Sequence, residues 1–246
     1  MCLQWERFQA LWKRCEAPFD PRPVFENLCC RYREPHRIYH RCTHLAHCFQ
    51  QLDLAYRLIQ DPDAVEMALW FHDAIYTPGS SENEKESAEL FVRAAGDHFR
   101  PSFTRKVYEL ILVTAHKELA QKYNEQFVAD IDLSSFGVDW EEFLRDTKAL
   151  RKEQAHSSDA VFYPAHAKFL ISLLGRPRIF GTEFFYGRYE QRARENITRL
   201  LADLCAQRIY LSRQRERCAA HPVNSFIKAG QELFWLRSNL VFRALL

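Results

Sequence analysis

Apolar residues return at helical spacing along almost the whole chain, and that period constrains the fold more than any single motif. Between positions 2 and 15, Leu3, Phe8, Leu11 and Trp12 fall on one helix face. Pro18, Pro21 and Pro23 separate this segment from a short helix expected over residues 24–32, because proline cannot sit inside a helix without losing a hydrogen bond. Pro35 interrupts again before a longer helix from about 39 to 59, which Asp61-Pro62-Asp63 ends while opening the next one through Met67, Trp70 and Phe71. The turn Pro78-Gly79-Ser80-Ser81 leads into a polar helix start at Ser81-Glu82-Asn83-Glu84. Further helices are expected over 101–118, 120–136, 140–157, 163–174 and 187–217, and only the short patch 178–185 has strand character. With 7 Gly among 246 residues, a Gly-rich β scaffold is excluded. The expectation is an all-α chain, with one helical domain over residues 1–217 and a helical extension over 218–246.

Charge and hydropathy narrow the function classes. The 34 Lys and Arg nearly balance the 32 Asp and Glu, giving +2 with no block of one sign, so a long nucleic acid is not an expected partner. No basic segment followed by an apolar core opens the chain, and runs such as Leu110-Ile111-Leu112-Val113 are far too short to span a membrane. The 8 Cys include no CxxC pair, which suits reduced thiols and a cytoplasmic location. The final stretch, with Phe234, Trp235, Leu236, Val241 and Phe242, suits an added packing helix or self-association into a homo-oligomer.

The 10 His carry the chemistry. His40, His44 and His47 stand at i, i+4 and i+7, which places them on one face of the expected helix. His72-Asp73 is embedded among Trp70, Phe71 and Ile75; His116 follows Thr114-Ala115; and Asp130-Ile131-Asp132 lies between apolar residues. A carboxylate among aromatic side chains needs a partner or it becomes neutral. A divalent cation removes that penalty, and imidazole plus carboxylate is a suitable mixed ligand set for one.

The order His44, then His72-Asp73, then Asp132 resembles the HD superfamily of metal-dependent phosphohydrolases. More narrowly, it resembles the bacterial group described as predicted metal-dependent HD superfamily phosphohydrolases. The matching stretches are Tyr39-His40-Arg41-Cys42-Thr43-His44, Ala68 through Tyr76, Asn83-Glu84-Lys85-Glu86-Ser87-Ala88, Thr114-Ala115-His116, Asp130-Ile131-Asp132-Leu133 and Arg151-Lys152-Glu153. Together they extend the resemblance over roughly residues 5–205. It implies a single HD-type helical domain with His44, His72, Asp73 and Asp132 as metal ligands, Asp130 being the rival for the last position. The metal could be Mn, Fe, Co, Ni, Zn or Mg.

The resemblance also implies a hydrolytic reaction in which a metal-activated water attacks a nucleotide or other small phosphoester. His40 and His116 are then candidates to face a phosphate or hold a second ion. Glu84 is the candidate to take a proton or orient a ligand, and His47 is a supporting or core residue. Arg151 and Arg194 are the favoured phosphate-holding cations, ahead of Lys117, Lys152 and Arg178. Two departures matter. No carboxylate follows His72-Asp73 until Glu82, unlike HD enzymes that act on alarmones and some that act on deoxynucleotides. A single His116 stands where cyclic-dinucleotide phosphodiesterases carry a double-His motif, so a site for one ion is expected. The alternative is a non-catalytic, metal-stabilised helical module that binds a ligand or a partner protein.

Overall fold

Prolines and caps set where the helices begin. Pro62 and Pro101 occupy first-turn positions, where a missing N–H leaves no bond unmade, and the Asp61 carboxylate accepts a hydrogen bond from the Ala64 N–H at 3.2 Å. In a computed structural model, which describes residues 4–206, ten α-helices follow in order. They are α1 (Trp5–Arg14), α2 (Arg22–Arg31), α3 (Cys42–Ala55), α4 (Pro62–Phe71), α5 (Asn83–Ala95), α6 (Pro101–Val113), α7 (Tyr123–Leu133), α8 (Trp140–Glu153), α9 (Asp159–Leu174) and α10 (Glu183–Ala206). Short 3-10 turns at Tyr56–Leu58 and Ser134–Gly137 close α3 and α7. The described residues contain no strand, so the chain is all-α there. The proposed extension over 218–246 and the domain boundary at 217 lie outside the described residues.

The patch 178–185 is a loop entering α10 rather than a strand. Backbone donors that a strand would pair with a neighbour are instead taken by two buried carboxylates. Ile179 and Phe180 donate to Glu190 at 2.9 and 3.1 Å, and Gly181 and Thr182 donate to Asp130 at 2.8 Å each. Local β character therefore yields to side-chain capture of the backbone.

Helix α4 is the centre of the fold. Every residue from Ala64 to Phe71 is buried, and the helix packs against α6, α3, α7, α5 and α1. A helix that is apolar all round can only be stable when surrounded. Trp70 anchors it, with ring centroids 4.6 Å from Phe49 and 4.9 Å from Phe8. The charged exception, Glu66, is held by Arg7 Nε at 2.7 Å and Arg14 Nη2 at 2.8 Å, both from α1. Because the carboxylate is doubly paired, burying it is tolerable. No helix among the described residues is long and apolar enough to cross a membrane.

Trp70→Ala leaves a cavity against three aromatic neighbours. It should lower unfolding free energy by about 3–5 kcal/mol, seen as a lower urea midpoint. A loss below about 1 kcal/mol would contradict the central place given to α4.

Candidate metal centre

Helix ends, not helix middles, deliver the site. His72 caps the C-terminus of α4, where its N–H still bonds Ala68 O at 2.8 Å, and Asp73 lies in the turn beyond. His44 sits in the first turn of α3 and Asp132 in the last turn of α7. His116 follows α6 in a left-handed conformation, φ +52°, with Arg176 donating to its carbonyl at 2.6 Å. Such a backbone is strained for a residue with a Cβ and persists only where the surroundings hold it. Arg37 ties two of these segments together: its guanidinium donates to His40 O at 3.1 Å, Asp73 O at 2.6 Å and Ala74 O at 3.1 Å.

His40 departs from the expected helix face. It precedes α3, because the Glu153 carboxylate accepts the N–H groups of Ile38, Tyr39 and His40 at 2.6, 2.6 and 2.8 Å and so replaces a helical turn there. The same carboxylate holds His40 Nδ1 at 2.7 Å.

The ligand atoms converge. His44 Nε2 is 3.2 Å from His72 Nε2, 3.1 Å from Asp132 Oδ1 and 3.5 Å from Asp73 Oδ2. His116 Nε2 is 2.8 Å from Asp132 Oδ2. The His72 Nδ1–H donates to Leu69 O at 2.8 Å, which turns Nε2 toward the cluster. Atoms of His44, Cys48, His72 and Asp132 all lie within 4.8 Å of one another, and this group can hold a metal ion. Asp73 Oδ2 lies 3.0 Å from His72 Nε2 and is buried with no hydrogen bond of its own. An orphaned carboxylate oxygen beside two facing imidazole nitrogens is the arrangement a cation relieves, and the residues fit a divalent ion.

Electrostatics point the same way. Burial works against charge on His72, yet Asp73 and Asp132 raise its pKa to about 9. Burial likewise opposes ionisation of Asp73 and Asp132, but the surrounding imidazoles hold both carboxyls below their ordinary range. In Glu84 burial dominates and, with Asp73 and Asp132 nearby, pushes the carboxyl up. Burial opposes charge on His40 as well, and Asp73 and Glu153 overcome it and raise its pKa.

A cleft of about 210 Å³ opens over this group, and His40, Asp73, Glu84, His116 and Asp132 line it, with His44 and His72 buried behind. Asp130, the rival ligand, is turned away and accepts from Gly181 and Thr182. His47 Nε2 contacts Ser134 Oγ at 2.8 Å.

Arg151 does not reach the cleft. Its guanidinium donates to Asp159, Gln154 O and Ser157 O at 2.8, 2.9 and 3.0 Å. Arg194 is engaged by Glu190 and the carbonyls of Leu174 and Arg176, and Arg178 by Glu183. No sequence motif marks Cys48, Asp146, Ser135 or His166, and Glu153 stands only within a resembling stretch. Cys48 follows His44 by four residues and was visible as a helical neighbour. Glu153 lies 113 residues from His40, and no local pattern signals that pairing.

A scan against protein-family models finds no match, and searches of curated proteins and of solved structures find none either.

A proton on His72 must leave before its Nε2 can bind a metal. Apparent metal affinity should therefore fall about tenfold per pH unit as pH drops below about 9. Chelator competition from pH 9 to 6 reads this slope, and a flat profile would contradict the coupling.

Proposed function

We propose that this chain is a metal-dependent phosphohydrolase of the HD type, acting on a nucleotide or other small phosphoester. The observation that carries the reading is the convergence of His44, His72, Asp73 and Asp132 from three helix ends beneath a cleft. Two imidazoles and two carboxylates balance the charge of one divalent ion. When bound, the ion supplies a Lewis acid that polarises a phosphoryl oxygen and lowers the pKa of water.

The protein's own groups do the rest. Glu84, its carboxyl raised by burial and by the neighbouring acids, is suited to take up a proton. His40, oriented through Nδ1 by Glu153 and favoured in its charged form, donates to a phosphoryl oxygen. His116 is fixed against Asp132 and faces the same space. These imidazoles take the place the sequence assigned to arginine, and Arg151 has no part in the reaction. A cytoplasmic location accords with the thiols of Cys15, Cys30, Cys48 and Cys205. Any self-association through 218–246 lies outside the described residues.

Purified chain supplied with Mn, Fe, Co, Ni, Zn or Mg should release phosphate from at least one member of a nucleotide and phosphoester panel. His72→Ala with Asp73→Ala should abolish that release. Glu84→Gln should lower kcat by about 10²–10⁴-fold while metal is retained. Undiminished turnover in the double variant would overturn the reading. Metal-dependent melting with no turnover on the panel would favour the non-catalytic module.

A further inference from the structure

The cleft extends beyond the metal-facing residues. The same cleft has a mostly aromatic wall of Phe136, Phe143, Leu150 and Phe169, with Asp146 and His166 also in its lining. The rings run on from the ligand cluster: Phe169 is 6.5 Å from His116 and 6.3 Å from Phe136, which is 5.9 Å from Phe143. Phe143 is buried, while Phe136 and Phe169 keep part of their surface open. No lysine or arginine is among the described residues lining this space, whereas Asp73, Glu84, Asp132 and Asp146 are. A chain of phosphates laid along the rings of this wall would meet Asp146 and apolar surface, with no lysine or arginine in the lining.

One polar group on this wall lacks a partner. His166 Nε2 is buried with no hydrogen bond, and its ring stacks on Phe162 at 5.3 Å with an interplanar angle of 14°. Burial keeps this imidazole neutral, its pKa lowered to about 4. The Thr147 hydroxyl, also in the lining, is already committed to Phe143 O at 2.9 Å. An unpaired buried nitrogen costs roughly 1–3 kcal/mol, and such groups in native proteins call for an explanation. An apolar aromatic pocket with one well-placed polar atom is how small-molecule sites fix orientation.

We infer that this aromatic compartment binds the organic part of the substrate, that this part is an uncharged planar ring with a hydrogen-bonding edge, and that His166 Nε2 reads that edge. The phosphoryl end of such a ligand faces the carboxylate–imidazole cluster, and that half of the placement rests on the phosphohydrolase reading. The ring half does not, because stacking and a hydrogen bond need no turnover. Flat rings satisfy the wall through offset and edge contacts, whereas an aliphatic polyol would bury hydroxyls against Phe136 and Phe169 without partners.

Calorimetric titration of the full chain with adenosine, guanosine, cytidine and uridine tests this, with glycerol and pyrophosphate as controls. At least one nucleoside should bind more tightly than both controls. Phe169→Ala should weaken that binding about 5- to 150-fold through the lost stacking face. His166→Phe keeps the ring and its stacking on Phe162, and should weaken the same nucleoside about three- to tenfold. It should leave the binding of benzyl alcohol, which has no heteroaromatic edge, unchanged. Failure of all four nucleosides to exceed the controls would overturn the inference, as would unchanged nucleoside affinity in His166→Phe. If Phe169→Ala does not fold, the His166→Phe comparison alone decides. Nucleoside binding without phosphate release from any ester would sink the phosphohydrolase reading and leave the ring compartment standing.

Discussion

Two carboxylates and two imidazoles share a buried space only a few ångströms across, and the rest of the architecture serves to keep them there. Charges brought this close inside a protein are unfavourable unless each is answered by an opposite charge or a well-made hydrogen bond. His44 and His72 present their Nε2 atoms to each other at 3.2 Å, which makes sense only with protons or a cation between them and the acids. Asp73 and Asp132 answer part of that demand, and one Asp73 oxygen is left without a hydrogen bond. A single divalent ion would satisfy the whole set.

Holding the set together falls to two side chains that touch no ligand atom of it. Arg37 collects the carbonyls of His40, Asp73 and Ala74, so the turn after α4 and the approach to α3 move as one. Glu153 collects three successive N–H groups before α3 and the ring of His40. Both act on backbone that has left the helices, where no helical hydrogen bonds fix it. The rigid part is α4, whose burial on all sides places His72 relative to the core. The candidate site thus draws on helix ends and the short segments beside them, clamped to a packed helix.

The all-α architecture was legible because apolar periodicity and proline placement are local signals. The candidate residues were legible because His72-Asp73 and Asp130-Ile131-Asp132 interrupt apolar runs, which is where a buried charge demands a reason. What the sequence hid depended on contacts between distant residues. Only the fold separates Asp130 from Asp132, since their environments are set by the 181–182 loop and by His116. His40 looked helical by spacing, but Glu153, over a hundred positions away, holds it in the turn before α3. The arginines misled for a related reason. A guanidinium can be recruited by any nearby carbonyl or carboxylate, and Arg151 and Arg194 both were.

With those arginines engaged elsewhere, the imidazoles and Lys117, whose charge acts on Glu84, supply the positive charge near the site, and a bound ion would add to it. That makes metal binding the central claim. The most direct measurement is elemental analysis of the full-length chain, purified without chelator and then offered each divalent ion, alongside Asp132→Ala. The account predicts about one ion per wild-type chain, lost from a variant that keeps its helical circular dichroism. A chain that binds none of the ions, or an Asp132→Ala variant that binds as well as wild type, would contradict it.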